Sequence, residues 1–288
     1  METDNTLKIA IAQLAPVWLN KEKTIQKVCE FIEKAGAQSC GLVVFGEAIL
    51  PGYPFWLSIT KGSEFNSKLQ KEIHAHYLRN AVQIEAGDLD LICDTAQKNK
   101  IAIYLGAVER AKDRGGHSLY CSLVYIDREG KIKSVHRKLT PTYEERLVWS
   151  PGDGNGLQVH SLEPFTVGGL NCWENWMPMS RTALYGIGEN LHIAVWPGEE
   201  RNTYDITRFI AKESRSFVVS ASGLMRIEDF PEDLPHLDEI RRNAPEVLAD
   251  GGSCIAAPDG SWVVPPVTGK EELIIADLDF NRVLEERQ

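Results

Sequence analysis

The sequence lacks the features that mark membrane, nucleic-acid-binding and secreted proteins. No apolar run approaches the roughly 18 residues that a membrane-spanning helix needs. Acidic residues number 41 against 31 basic ones, and the net charge of −10 argues against binding to nucleic acid or to anionic membranes. Residues 1–7 are polar and acidic, so the N-terminus does not resemble a secretory signal.

Metal-binding and nucleotide-binding motifs are missing as well. The six cysteines form no Cys-x-x-Cys pair, and their scatter without a secretory signal predicts reduced thiols in a cytoplasmic protein. No His-Glu-x-x-His motif occurs, and His74 and His76 would face different directions on the helix predicted there. The sequence therefore predicts no metal site. No Gly-x-Gly-x-x-Gly follows the first strand, and no Walker loop occurs.

What the sequence does contain is a mixture of short apolar segments and amphipathic ones. Residues 7–14 alternate as a strand does, and Asn20 caps an amphipathic helix predicted over 21–37. The whole pattern comprises about a dozen short strands and five or six helices. Hairpin-like pairs combined with βαβ units favour an α/β fold of two mixed sheets with helices outside. No linker, repeat or charge block divides the chain, so one domain over residues 1–288 is expected.

Three predicted strands each end beside a side chain that can carry chemistry. Cys172 follows a strand at 165–170 and precedes a helix predicted at 180–191, so the backbone N–H groups after it can face developing negative charge. A thiol in such a place needs a base and a cationic partner to act as a nucleophile. Glu47 ends an apolar strand and opens an aromatic loop, where burial would raise its pKa toward that of a usable base. Lys138 follows a third strand and supplies a positive charge.

Alone, each of these residues also fits an ordinary role. Cys172 reads as a small buried apolar residue, Glu47 as a surface carboxylate after a strand, and Lys138 as a solvated cation. Glu145, seven residues after Lys138, could pair with a neighbouring arginine. The occurrence of all three at strand ends, among glycine, proline and aromatic residues, favours a shared active site. We therefore expect Cys172, Glu47 and Lys138 to meet around one buried cavity.

Taken in order, the segments around these residues resemble the nitrilase superfamily of carbon–nitrogen hydrolases, and within it the nitrilase branch. The matching motifs are Phe-Gly-Glu-Ala-Ile-Leu-Pro-Gly-Tyr-Pro around Glu47, Arg-Lys-Leu-Thr-Pro-Thr-Tyr-Glu-Glu-Arg around Lys138, and Cys-Trp-Glu-Asn-Trp-Met-Pro at Cys172. The resemblance extends over about residues 8–279. It implies a four-layer α-β-β-α sandwich of two mixed β-sheets flanked by helices.

The resemblance also implies a role for each catalytic position. It identifies Cys172 as the nucleophile, Glu47 as the general base and Lys138 as the cation that stabilises tetrahedral intermediates. Glu145 corresponds to a second carboxylate of structural or catalytic function. The implied reaction converts an organic nitrile to a carboxylic acid and ammonia through thioimidate and thioester intermediates. It requires water but neither a metal ion nor an organic cofactor.

Two features favour a small neutral nitrile as the substrate. The Cys-Trp-Glu-Asn motif resembles the nitrilase branch more than it resembles amidases or carbamoylases. The loops around the motifs are rich in aromatic residues, which suit a partly apolar ligand. Several of these aromatic residues could equally pack the core. The candidate substrate-binding residues are Tyr53, Trp173, Asn175, Trp196 and Pro197.

Other functions fit the same residues. Aliphatic amidases use the same catalytic set, and a cyanide dihydratase or hydratase differs only in its substrate or in how the adduct collapses. A non-catalytic interaction protein is disfavoured because all four catalytic positions are filled, and a papain-like protease because no histidine motif pairs with Cys172. The resemblance further implies a homodimer or a larger homo-oligomer. Because nitrilases usually continue past the position of Gln288, assembly beyond a dimer stays open.

Overall fold

The structure, a computed structural model, describes residues 5–288. Residues 1–4 lie outside the described part, and they include most of the segment whose polarity predicts no secretory signal. The described residues form thirteen strands: β1 (Thr6–Gln13), β2 (Leu42–Phe45), β3 (Ala102–Arg110), β4 (Leu119–Ile126), β5 (Ile132–Arg137), β6 (His160–Leu162), β7 (Phe165–Asn171), β8 (Leu191–Trp196), β9 (Phe217–Ser222), β10 (Leu224–Arg226), β11 (Val247–Ala256), β12 (Trp262–Thr268) and β13 (Glu272–Asp279). They also form eight α-helices: α1 (Lys21–Ala37), α2 (Trp56–Ile59), α3 (Lys68–Asn80), α4 (Asp90–Asn99), α5 (Pro178–Gly186), α6 (Glu200–Ser214), α7 (Leu237–Asn243) and α8 (Asn281–Glu286).

The strands form two mixed sheets. The first has the order β13-β1-β2-β3-β4-β5, in which β1, β2 and β3 run parallel and the other neighbours run antiparallel. The second has the order β10-β11-β9-β8-β7-β6, with β12 paired to β11, and its strands β7, β8 and β9 run parallel. Val43 lies opposite Ala10 on one side and Ile103 on the other, so β2 is a central strand. Its continuous apolar sequence fits that position.

The two sheets pack face to face, and helices cover their outer faces. Ile9, Val44, Val167 and Val219 are fully buried between the sheets. Apolar side chains of α1 and α4 pack against the outer face of the first sheet, and Ile210 on α6 packs against that of the second. Because successive side chains of a strand point to opposite faces, each sheet can fill both an inner and an outer core. The predicted four-layer α-β-β-α sandwich is confirmed.

Most predicted elements occur, and local signals set their ends. Helix α1 spans the predicted residues, and the Asn20 side chain accepts a hydrogen bond from the Lys23 N–H at its start. The helix predicted over 180–191 instead begins at Pro178, because proline favours the first helical position. Strand β10 and helix α7 are short, and the sequence pattern does not predict them. Among the helices of residues 5–288, none is long and apolar enough to span a membrane.

The ends of four strands meet at one edge of the sandwich. Strand β2 ends shortly before Glu47, β5 ends directly before Lys138, and β7 ends directly before Cys172. Strand β8, which is parallel to β7, ends directly before Pro197. In α/β proteins the loops at the carboxyl ends of parallel strands form the ligand site. The fold therefore gathers the candidate residues at the edge where such a site is expected.

Candidate active site

The four predicted catalytic side chains lie together at this edge. Lys138 Nζ is 2.9 Å from Glu47 Oε1 and 2.8 Å from Glu145 Oε2. An oxygen of each carboxylate and the Cys172 sulfur all lie within 4.8 Å of one another. The structure thus brings together residues from three distant segments of the chain, around a single site.

A close approach of backbones positions Glu47. Its N–H donates to the Trp196 carbonyl, which ties the end of β2 to the end of β8 in the other sheet. A Cβ at Gly106 would meet the Gly46 carbonyl oxygen and the Glu47 Cα, so only glycine fits there. The next residue, Ala48, has a φ of +49°, a left-handed conformation that an L-residue adopts only when its surroundings impose it. The Glu47 backbone is therefore fixed by its neighbours.

The Glu47 carboxylate has one engaged oxygen and one free oxygen. Lys138 Nζ and the Cys121 thiol, whose sulfur is 3.5 Å away, both contact Oε1. Oε2 is buried and has no hydrogen-bond partner among the described residues. Burial raises the Glu47 pKa to about 7; Lys138 opposes this rise, and the charge of Glu145 adds to it. A carboxylate with this pKa and a free oxygen is suited to accept a proton.

Lys138 is fully buried and remains an ammonium ion. Burial alone would lower its pKa, but the charges of Glu47, Cys172 and Glu145 hold the Lys138 pKa well above its usual value. The acidic groups and the sulfur have the composition of a metal-ligand group. The Lys138 ammonium, however, already supplies the cation between the two carboxylates. We therefore assign these carboxylates to Lys138 and not to a metal ion.

A short 3₁₀ turn, Tyr143–Leu147, holds Glu145 beside Lys138. Glu145 Oε2 accepts a hydrogen bond from the Thr142 N–H at 2.6 Å, which forms half of a capping box. Oε1 accepts a hydrogen bond from the Tyr53 hydroxyl at 2.7 Å. Both oxygens of Glu145 are therefore engaged, unlike those of Glu47. This geometry suits Glu145 to hold Lys138 in place more than to exchange protons.

Cys172 begins a 3₁₀ turn in a strained conformation. Its φ is +43°, and a capping box closes the turn that follows. The backbone N–H of Trp173 faces the sulfur. Burial and the charge of Glu47 raise the Cys172 pKa well above its usual value, and Lys138 offsets only part of the rise. The resting sulfur is therefore a thiol, and it needs a base to become a nucleophile.

A cleft of about 350 Å³ opens at Cys172. Three of the five predicted substrate-binding residues, Tyr53, Trp173 and Pro197, line this cleft. Phe55 adds a further aromatic wall. The cleft therefore combines the Cys172 sulfur with an aromatic wall, which suits a partly apolar ligand. Its lining also includes four charged residues, Glu144, Glu145, Glu199 and Arg201.

The other two predicted substrate-binding residues do not line this cleft. Trp196 is buried in the core between β8 and α6, where its Nε1 donates to the Ser220 hydroxyl. Asn175 is fully buried; its Nδ2 donates to the Cys172 carbonyl at 2.9 Å, and its Oδ1 lies 2.8 Å from His192 Nε2. Asn175 thus holds the Cys172 backbone, and Trp196 packs the sheet.

Two residues next to the site are not predicted from the sequence. Cys121 lies on β4 with its sulfur between Glu47 and Asn171, and nothing in the local pattern marks it. Glu174 accepts hydrogen bonds from backbone groups on both sides of the site. Its spacing from Asn171 is that of a capping box, and this signal is readable in the sequence.

The comparison with known protein families fits this arrangement. The model of the carbon-nitrogen hydrolase family matches residues 8–288. The chain belongs to the carbon–nitrogen hydrolase family. It is therefore an enzyme that hydrolyses carbon–nitrogen bonds, as the resemblance of its motifs predicts.

Similar proteins carry nitrilase names. "Nitrilase 2" of an unknown prokaryotic organism is 35% identical over 269 residues, which cover 93% of this chain and 82% of that protein. "Aliphatic nitrilase" of Sinorhizobium fredii is 34% identical and is matched over 96% of this chain and 87% of its own length. Among solved structures, Saccharomyces cerevisiae Nit3, a member of branch 10 of the nitrilase superfamily, superposes with a TM-score of 0.74 at 19% identity. That match covers 98% of this chain and 93% of Nit3, and at this identity it shows the fold alone.

Proposed function

We propose that the protein is a nitrilase that hydrolyses a small neutral organic nitrile to the carboxylic acid and ammonia. The observation that carries this proposal is the Glu47 carboxylate, which has a free, buried Oε2 and lies beside the Cys172 thiol and the Lys138 ammonium. The aromatic cleft and the nitrilase names of the relatives at 34–35% identity support it. The match of one family model to residues 8–288 supports a single catalytic domain.

In the first half of the reaction, the sulfur adds to the nitrile carbon. Glu47 Oε2 takes the thiol proton as the Cys172 sulfur forms the new bond, and one bond of the C≡N group becomes a lone pair on nitrogen. Lys138 Nζ and the Trp173 N–H face the charge that develops there, and losing one such donor typically costs about 10²–10³ in rate. Glu47 then returns the proton to nitrogen, which leaves a neutral covalent thioimidate.

In the second half, two waters release the products. Glu47 takes a proton from the first water as its oxygen adds to the thioimidate carbon. Return of this proton to nitrogen gives a tetrahedral adduct with one hydroxyl and one amino group. Glu47 then transfers the hydroxyl proton to the amino group, so that ammonia leaves as the carbonyl of the thioester forms. A second water, activated in the same way, displaces the Cys172 sulfur, so the acid forms and the thiol is restored. Collapse of the first tetrahedral adduct with loss of sulfur would instead yield the amide.

Removal of the sulfur tests the assignment. Cys172→Ala should abolish ammonia release from a panel of aliphatic, aryl and arylacetonitriles, because the covalent path requires the thiolate. The matched control is Cys254→Ala, which removes a fully buried thiol on β11 and should retain most of the activity. Circular dichroism checks that both variants are folded. Substantial nitrile hydrolysis by Cys172→Ala would contradict the proposal.

The same assay distinguishes the neighbouring activities. Amide hydrolysis uses the same residues, so the amides that correspond to each nitrile are assayed in parallel. A cleft of about 350 Å³ is much larger than cyanide, which favours an organic nitrile. Faster turnover of an amide would indicate an amidase, and turnover of cyanide alone would indicate a cyanide dihydratase or hydratase. An unreactive Cys172 with no turnover would indicate an interaction protein.

We also propose that the protein is a homodimer or a larger homo-oligomer that pairs through α5, the turn that follows α5, and α6. Met179, Ile187 and Phe209 are 80%, 51% and 50% exposed on these segments, although all three are large and apolar. Helices α5 and α6 are neighbours, since Arg181 lies over the Phe209 ring, and exposed large apolar side chains on neighbouring helices are typical of a protein interface. Light scattering should give at least twice the chain mass of 32.2 kDa, and Met179→Glu should lower it. A monomeric wild-type protein would contradict this proposal.

A cytoplasmic location is a further part of the proposal. All six cysteines are free in the structure, although three of them are not fully buried. Unpaired cysteines fit a reducing compartment. Localisation of the tagged protein in its source cells tests this point.

A further inference from the structure

Glu174 is a buried carboxylate close to the active site that does not line the cleft. It lies two residues after Cys172, in the same 3₁₀ turn. Neither its position in the Cys-Trp-Glu-Asn motif nor the chemistry proposed above requires a negative charge there. Its hydrogen bonds show what the charge contacts.

One set of bonds holds the turn that carries Cys172. Glu174 Oε2 accepts a hydrogen bond from the Asn171 N–H at 3.0 Å. The Asn171 side chain in turn accepts a hydrogen bond from the Glu174 N–H, which completes a capping box. Because Asn171 directly precedes Cys172, this pair closes the backbone around the residue with a φ of +43°. These two hydrogen bonds therefore stabilise the strained turn at its start.

A second set of bonds holds the segment that carries Lys138. Glu174 Oε1 accepts a hydrogen bond from the Leu139 N–H. His136 Nε2 lies 3.0 Å from Oε2 and 3.3 Å from Oε1. His136 and Leu139 stand on either side of Lys138, which follows the first sheet, whereas Cys172 follows the second. One carboxylate therefore bridges the two sheets at the point where nucleophile and cation meet.

The bridge depends on a carboxylate. Each Glu174 oxygen accepts a hydrogen bond from one backbone N–H, one in the segment that carries Cys172 and one in the segment that carries Lys138. Because a backbone N–H cannot become an acceptor, both side-chain atoms must be acceptors. Burial alone would raise the Glu174 pKa, but His136 and the two backbone N–H groups outweigh burial and hold the pKa below its usual value. Glu174 is therefore ionised, and charge-assisted hydrogen bonds of this kind are short and directional.

We propose that Glu174 is a positioning residue that fixes the Cys172 sulfur relative to the Lys138 ammonium. The proposal rests on the proposed function only in the roles of these two residues. Without the bridge, the strained turn can relax away from Lys138 and the Trp173 N–H can turn away from the sulfur. A displacement of about 1 Å at a reacting atom can lower a rate by about 10²-fold.

The variant Glu174→Gln breaks the bridge with little change in volume. Whichever way the amide is oriented, its NH₂ group faces either the Leu139 N–H or the Asn171 N–H. One of the two ties must therefore be lost. The matched control is Glu109→Gln, which alters a buried carboxylate paired with Arg137, the residue before Lys138, but which does not contact the Cys172 turn.

Two readouts separate positioning from simple destabilisation. The first is the rate of Cys172 alkylation by iodoacetamide, located by peptide mass spectrometry, which requires no nitrile turnover. The second is kcat and KM for the best nitrile of the panel. Glu174→Gln should slow alkylation at least tenfold and lower kcat by about 10²-fold, with KM changed less than about threefold. Glu109→Gln should leave the alkylation rate within about twofold of the wild type, even if its Tm falls by as much as the Tm of Glu174→Gln.

The outcomes bear on different parts of the proposal. Glu174→Gln with wild-type alkylation would overturn the positioning role, and so would equal losses in both variants. If wild-type protein hydrolyses no nitrile, the proposed function fails while the alkylation ratio still tests Glu174. If Glu174→Gln does not fold, His136→Leu and His136→Gln replace it. His136→Leu should slow alkylation because Glu174 loses its ring partner, and His136→Gln should restore the rate because its amide donates there; equal rates would overturn the proposal.

Discussion

Two buried carboxylate–cation clusters lie side by side in this structure. Glu109 pairs with Arg137, and Glu47 pairs with Lys138, the next residue in the chain. Arg137 contacts Glu109 with two nitrogens, at 2.8 and 2.7 Å, and the Ser122 hydroxyl donates to the same carboxylate at 2.8 Å. In this cluster both carboxylate oxygens are engaged.

In the second cluster, by comparison, one carboxylate oxygen has no hydrogen bond from the described residues. One ammonium serves two carboxylates, Glu47 and Glu145, and Oε2 of Glu47 has no partner among residues 5–288. A bidentate arginine pair is rigid and fully satisfied, as a structural pair should be. Burial, and after it the charge of Glu145, raises the pKa of Glu47, and its open oxygen leaves a place for the proton. Complete hydrogen bonding therefore characterises the structural pair, Glu109 and Arg137, whereas an oxygen without a partner characterises Glu47, the carboxylate suited to proton transfer.

The largest expected effect comes from removing the open oxygen. Glu47→Gln should lower kcat by about 10²–10⁴-fold, because the amide still accepts from Lys138 but can no longer take a proton. Ammonia release at saturating nitrile measures this loss. Cys172 alkylation should slow as well, since both oxygens of Glu145, the other carboxylate near the thiol, are engaged in hydrogen bonds. A variant that keeps more than a tenth of wild-type kcat would contradict the view that the Glu47 cluster serves catalysis while the Glu109 cluster serves structure.

Much of this site is readable from the sequence, because its residues sit at strand ends within ordered motifs. Glu47 and Cys172 each follow an apolar segment that is typical of a buried strand, and Lys138 follows a strand that is only partly buried. Trp196 illustrates the limit, since alternation along β8 decides which face it occupies, and the motif does not fix the register. The contacts of Cys121 with Asn171 and of Glu174 with His136 and Leu139 join the two sheets, and no local pattern records how the sheets pack.

The fold shows the same division between local and long-range information. The Asn20 cap sets the start of α1, so this helix follows from neighbouring residues alone. The sequence pattern of residues 67–84 predicts a helix over that whole range, but α3 ends at Asn80, because the Val82 N–H donates to the Val108 carbonyl on β3. Tertiary pairing thus overrides the helical pattern where a strand lies within reach.

The pH dependence provides a sharper comparison of the two clusters. Because the Glu47 pKa is raised to about 7, the carboxyl is protonated below that pH and cannot act as the base. The value of kcat/KM should therefore fall about tenfold per pH unit below 7 and level off above it. Lys138 and Cys172 have pKa values well above their usual ranges, so neither should titrate between pH 5 and 8.

A neutral nitrile assayed between pH 5 and 8 measures this profile. Glu109→Gln is the matched control, and its acid limb should coincide with that of the wild type because the satisfied pair does not contact Glu47. Circular dichroism at each pH checks that the fold persists. A profile that stays flat from pH 5 to 7 would contradict Glu47 as the base.

A smaller effect is expected from loosening the second carboxylate. Tyr53→Phe removes the hydrogen bond to Glu145 Oε1, while Thr142 and Lys138 still hold Oε2. We expect kcat to fall about three- to tenfold, since a hydrogen bond to a charged group is lost but the ammonium stays in place. Tyr185→Phe is the matched control, because this hydroxyl also bonds a glutamate, at 3.0 Å, but does not line the cleft. Equal kcat values for both variants would exclude a catalytic contribution from Tyr53.

The smallest effect on turnover should come from the satisfied cluster itself. Glu109→Gln leaves Arg137 with a neutral acceptor and with Asp113 at 3.2 Å, so the variant should lose about 1–3 kcal/mol of unfolding free energy. Its kcat should stay within about threefold of the wild type, because no atom of Glu109 contacts Glu47, Lys138 or the cleft. Urea unfolding and ammonia release, measured on the same sample, give the two quantities. A variant that keeps its unfolding free energy but loses turnover would contradict this prediction, because the Glu109–Arg137 pair would then contribute to catalysis and not to stability.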